Sequence, residues 1–176
     1  PTANQENDMD SNLTLMQISA LAVAGMCHAL LGSVKVPLAR KMEIDEARVG
    51  GLVSVFGFTL IPMVFAAGFL VDLIGVNGKQ AVIGGGFLVV IASLIMLARL
   101  KTYPVALMAV LLLGIGWSAL VNVLNVTSPP AFLPEEEMTS RISYAMNMGD
   151  FIFGMGAFLT PLLVAGLVRW MRFEAV

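Results

Sequence analysis

Asp150 and His28 are the two side chains whose setting suggests chemistry, because both interrupt long apolar stretches. Asp150 lies nine residues past Arg141, about 13 Å along a helix at 1.5 Å per residue. A bare carboxylate at that depth in hydrocarbon is costly, so it must face a cavity or partner, or be protonated. It reads either as a substrate or proton site or as a neutral acid hydrogen-bonded in a bundle or to another subunit. His28 is the only histidine; its charge can change near neutral pH, and its plainer role is a local hydrogen bond. Asn122 and Asn125 stand three residues apart, with Trp117 one to two turns earlier, and Asn147 precedes Asp150 by one turn. Such polar groups either contact a polar solute or hydrogen-bond between helices, at about 1 kcal/mol each. Gln17 and Ser19 are weaker candidates of the same kind.

Other chemistry is missing. There is no Ser-His-Asp pattern and no Cys/His metal spacing, so neither catalytic residues nor a metal or cofactor are expected. The glycines at 84–86 lie inside an apolar stretch and lack the preceding strand of a nucleotide fingerprint. Cys27 is the single cysteine and cannot form an internal disulfide. A net charge of −2 leaves no footprint for nucleic acid.

The elements that must position these residues follow from composition. Hydrophobic residues make up 58% and charged residues 12%, against roughly a quarter charged in ordinary globular chains. Mean hydropathy is +0.88. A bilayer core needs roughly 20 apolar residues per helix. Charged residues cut this chain into such lengths, at 11–34, 49–71, 80–98, 102–134 and between Arg141 and Arg169. The reading is an all-α integral membrane protein of about five spans, near 13–38, 47–72, 79–98, 103–127 and 139–169. Pro129 and Pro130 are expected to end the fourth. Polar tails of 1–12 and 171–176 flank a bundle of 13–170. Small residues four apart (Ala20/Ala24, Gly25/Ala29, Gly50/Ser54, Gly156/Thr160) let helices approach closely in lipid, and the 12 methionines read as packing and lipid contacts.

After the second span come Gly68, Leu70, Asp72, Gly75 and Lys79. This resembles the signature between helices 2 and 3 of the major facilitator superfamily. Gly50-Gly51 at the second span, the glycines at 84–86, Gly114 and Gly116 in the fourth, and Gly156 to Pro161 in the fifth agree with that likeness. It runs from about Leu13 to Val168. The resemblance implies the first half of such a bundle, with Gly68, Asp72, Gly75 and Lys79 as a gating motif. It also implies a central cavity lined from helices 1, 2, 4 and 5, to which Asp150, His28, Asn122, Asn125, Asn147 and Trp117 would contribute. The first and fifth helices can approach in this fold, so His28 and Asp150 are expected to form a buried, pH-dependent pair.

The departures are specific. Leu73, Val76 and Asn77 replace the signature's basic residues, Val110 stands where proton-coupled members carry arginine, and Thr160 precedes Pro161 where glycine is usual. These count against a standard proton-driven exporter. Five spans are also fewer than the twelve a complete member needs to enclose a substrate between two halves. Two functions therefore stand side by side. One is part of a solute transporter working by alternating access. The other is a truncated accessory or scaffold subunit of a larger membrane complex. The partners implied are the lipid bilayer, the remaining half or other membrane subunits, and a small-molecule substrate. The location implied is a bacterial inner or internal membrane.

Orientation is contested. Lys35, Arg40, Lys41, Arg48, Arg99, Lys101, Arg169 and Arg172 fall on one side, and only Lys79 and Arg141 on the other. The excess of basic residues marks the first side as cytoplasmic. The resemblance places the 72–79 loop there instead, and the reading leans to the family's orientation.

Overall fold

The computed structural model describes residues 3–99 and 102–170, with side chains from Leu13 onward except Val76. It is helical throughout: α1 (Ala3–Ser33), α2 (Lys35–Met42), α3 (Glu46–Phe58), α4 (Leu60–Ile74), α5 (Gly78–Arg99), α6 (Tyr103–Phe132) and α7 (Met138–Trp170). Short 3₁₀ turns at Gly75–Asn77 and Glu135–Glu137 precede α5 and α7. Five helical stretches are long and apolar enough to cross a membrane, as the charge spacing predicts, and the chain is a multi-pass membrane protein.

The boundaries differ from expectation where local chemistry decides. The helix of α1 begins at Ala3 rather than near residue 13. It passes almost unbroken into α2, since Val34 N donates to Leu30 O (2.9 Å) and Leu38 N to Val34 O (2.8 Å). Glu43 then takes a left-handed conformation (φ 54°, ψ 41°), and Asp45 caps α3 by accepting from Ala47 N at 3.2 Å. The second span is two helices, broken at Thr59. Pro62 has no N–H to give the Phe58 carbonyl, and that missing rung breaks the ladder. Thr59 turns its hydroxyl to Phe56 O (2.7 Å).

Pro129 and Pro130 do not end the fourth span; α6 runs on to Phe132. Helix-breaking residues are tolerated in membranes where neighbours satisfy the backbone. Here α1 holds the last turns of α6 through carbonyls other than those of Asn125 and Val126, which the prolines leave without their N–H partner. Thr14 Oγ1 donates to Ala131 O at 2.7 Å, and Gln17 Nε2 donates to Leu124 O at 2.7 Å. The polar tail at 171–176 lies outside the described residues.

The helix α6 is the hub. Of its most apolar window 61% is buried, against 11% for the last span. It packs on α1, α3, α4, α5 and α7. Leu113, Trp117, Leu120 and Leu124 supply its core contacts. Around the rim Phe58, Phe65, Phe69, Leu88, Phe151 and Phe158 are exposed, which suits a solvent of acyl chains rather than water.

Close approach explains some of the small residues. A Cβ on Gly25 would collide with the Phe153 carbonyl, and one on Gly156 with the Ala22 carbonyl. Spans one and five therefore touch backbone to backbone, and Thr160 Oγ1 adds a hydrogen bond to Met26 O (3.3 Å). Across α5 and α6, Gly86 and Gly116 sit against each other, where a Cβ would come within 3.1 and 3.0 Å of the facing carbonyls. The expected Gly50/Ser54 pair packs nothing: Gly50 faces open space and Ser54 bonds back to it (3.2 Å).

Lys41 Nζ donates to Ala98 O (2.5 Å), so α2 and α5 end on the same side. The Thr14 bond joins the start of α1 to the end of α6 on the other side. Ser118 is buried in α6, and among the described residues its hydroxyl has no hydrogen-bond partner. A buried polar group without a partner costs about 1–3 kcal/mol. Ser118→Ala is therefore expected to raise the thermal unfolding midpoint in detergent, and an unchanged or lowered midpoint would contradict this.

Candidate functional site

The candidate residues gather in two places rather than one. The first is an aromatic cluster where spans one, two, four and five converge. Trp117 comes from α6, Phe56 from α3, Phe153 from α7 and His28 from α1. The His28 ring stacks on Trp117 with centroids 4.9 Å apart and 28° between planes. Phe153 and Phe56 lie at 5.7 and 6.1 Å from it. Trp117 is 5% exposed and donates Nε1–H to Ala24 O at 2.7 Å, the partner a buried indole requires. The indole is thus fixed, while His28 is exposed at the edge of the stack.

The expected His28–Asp150 pair does not form. Among the described residues the one ion pair joins Arg141 to Glu137 (2.6 Å), and no hydrogen bond links His28 to Asp150. Register is the reason: Phe153, one turn beyond Asp150, reaches the imidazole instead. Asp150 and Asn147 are both exposed on α7. Their helix instead buries Ala145, Gly149, Gly156 and Thr160.

The second place is a cavity of about 300 Å³ between α4, α5 and α6. Gly68, Asp72, Lys79 and Asn122 line it, with Val64, Ala67, Val71, Val123 and Val126 as apolar walls. The turn that brings Lys79 back over Asp72 depends on two glycines. Gly75 takes φ +79°, a conformation that favours glycine. Gly78 sits under the Val71 carbonyl, where a Cβ would collide. Gly68 lines the cavity and meets no such constraint. Asn122 Nδ2 donates to Ser118 O at 2.8 Å within its own helix. Asn125 is half-buried on α6 and lines neither place.

Gln17 is more than a minor candidate. It is 2% exposed and donates to Leu124 O (2.7 Å) and Ser128 Oγ (3.0 Å), while Thr127 Oγ1 donates to its Oε1 (3.1 Å). This network is structural, tying α1 to the Pro129–Pro130 end of α6. Ser19 donates to Leu15 O of its own helix (2.8 Å). Phe56 and Phe153 were not singled out from sequence, because a phenylalanine in an apolar helix carries no local mark of its neighbours. Among the described residues no group of three or more His, Cys, Asp or Glu could hold a metal ion.

Comparison with known protein families, curated proteins and solved structures finds no match.

Proposed function

We propose that this chain forms five spans of a facilitator-type solute transporter, working by alternating access against further membrane-spanning structure. The observation that carries this reading is the convergence on His28. Three other spans place aromatic side chains around the one exposed imidazole, so a polar ring that a solute can reach is backed by a rigid, buried aromatic stack. The cavity joining Gly68, Asp72 and Lys79 to Asn122 supports it, because a gate needs charged groups beside a groove that can open. On this reading His28 contacts the solute with the buried Trp117 ring as its support, and Asp72 and Lys79 act at one end of the pathway. No chemical step and no cofactor are involved.

A second reading, an accessory subunit of a larger membrane assembly, is favoured by the last span. Phe151, Phe158, Leu162 and Trp170 leave it a wide uncovered apolar face, which another membrane subunit could cover.

Two measurements separate these readings. The native gene product is weighed intact: a mass near 18.7 kDa favours the accessory subunit, and more than twice that favours the transporter. Uptake is then compared for His28→Ala and Asp72→Asn. The transporter reading expects roughly tenfold slower uptake, the equivalent of one lost contact of about 1.4 kcal/mol, with the amount of folded protein unchanged. Unaltered uptake in both variants would sink it.

A further inference from the structure

At the basic end of the bundle a second groove runs between α1–α2 and α5. Leu30, Val34 and Leu38 form one wall, and Leu94, Leu97 and Ala98 the other, around about 220 Å³. Lys41 is the charged residue lining it. Its ammonium holds the Ala98 carbonyl at the end of α5 (2.5 Å). One of three N–H donors is thereby used, and two remain. Arg99 follows Ala98 directly and is exposed, as is Arg40 beside Lys41.

Among the described residues the acids at this end are Glu43, Asp45 and Glu46. Among the described residues none of them forms an ion pair with Lys35, Arg40, Lys41, Arg48 or Arg99. The groove thus has apolar walls along the membrane-spanning helices and unneutralised cations at its mouth. A phospholipid with a net negative headgroup has the matching order of parts, an acyl chain and then a phosphate.

We infer that this groove seats an acyl chain of an anionic phospholipid, whose phosphate rests on Lys41 and Arg99. The lipid bridges the first and third spans where α1, α2 and α5 leave the space between them unfilled. Charge complementarity makes the site selective: a zwitterionic lipid presents the same chains and no net charge to the cations. Each basic residue near a membrane surface contributes an attraction that changes affinity about fivefold.

Native mass spectrometry of the detergent-purified protein tests this. Dioleoyl phosphatidylglycerol and dioleoyl phosphatidylcholine are titrated separately, so that the chains are identical and only the headgroup differs. Phosphatidylglycerol is expected to be retained at least about fivefold more tightly. Lys41→Gln keeps the groove and should bring its retention down toward the phosphatidylcholine level. Leu94→Trp keeps the charge, fills the groove and should lower retention of phosphatidylglycerol as well. Equal retention of the two lipids by the wild-type protein overturns the inference. So does phosphatidylglycerol binding that survives either substitution, or its displacement by inorganic phosphate, which would mean that the cations act without the groove. Circular dichroism of each variant ensures that loss of lipid is not loss of fold. Should Lys41→Gln fail to fold, Arg99→Gln removes charge without touching the Ala98 bond and carries the same expectation.

Discussion

Trp117→Ala is expected to be among the most damaging single changes in the bundle, costing about 3–5 kcal/mol. The indole lies in the hub helix, 5% exposed. Its ring meets His28, Phe56 and Phe153 at 4.9, 5.3 and 6.1 Å between centroids. Truncation leaves a cavity at the meeting point of four spans, and Cys27, Leu31 and Leu113 of the same core cluster can fill it only partly. Trp117→Phe separates the two contributions. It keeps most of the ring contact and removes the N–H that reaches Ala24 O, so it should cost about 1 kcal/mol. The check is thermal unfolding in detergent followed by far-ultraviolet circular dichroism. Equal midpoints for Trp117→Ala and wild type would show that the spans do not depend on this cluster.

The second large effect is expected at the crossing of spans one and five. Gly25→Leu places a side chain where the Phe153 backbone already sits. Backbone cannot rotate away as a flexible side chain can, so the helices must separate. Overpacking of this kind costs about 1–3 kcal/mol, and more where backbone is the obstacle. Separation would also break the hydrogen bond from Thr160 to Met26 O. In lipid this loss is not offset by apolar burial, since the tails are as apolar as the side chains. Gly156→Leu should do the same through the Ala22 carbonyl. Gly84→Ala is the control: open space surrounds it, and alanine is the better helix former by about 1 kcal/mol. Thermal unfolding in detergent reports the effect: the midpoint should fall for Gly25→Leu and hold or rise for Gly84→Ala. An unchanged midpoint for Gly25→Leu would show that the helices do not need this contact.

Sequence reading identified the glycines but could not sort them. Gly25, Gly86, Gly114, Gly116 and Gly156 stand against neighbouring helices, while Gly50, Gly57, Gly68, Gly84 and Gly154 face open space. Spacing shows which residues share a helix face, not which face meets another helix. Gly114 makes the point: the side chain lying where its Cβ would be belongs to Thr59, whose position follows from the break that Pro62 imposes on another span. Pro129 and Pro130 failed as stop signals for a similar reason. The stretch they occupy is bonded to Gln17 and Thr14, more than a hundred residues away, contacts that no local rule contains.

What the sequence determined alone is the solvent and the number of crossings. A helix in hydrocarbon satisfies its own backbone, so length and lack of charge are enough to reveal it. The turn after the second span was legible as well, because Gly75 and Gly78 are needed by the local backbone. Only the tertiary structure decided the partners of the polar residues. It stacked His28 on Trp117 rather than pairing it with Asp150, set Asn122 on the same cavity as Asp72 and Lys79, and made Gln17 a brace between helices. Those outcomes depend on the register and rotation of one helix against the next, and packing sets both by where small side chains let two backbones touch.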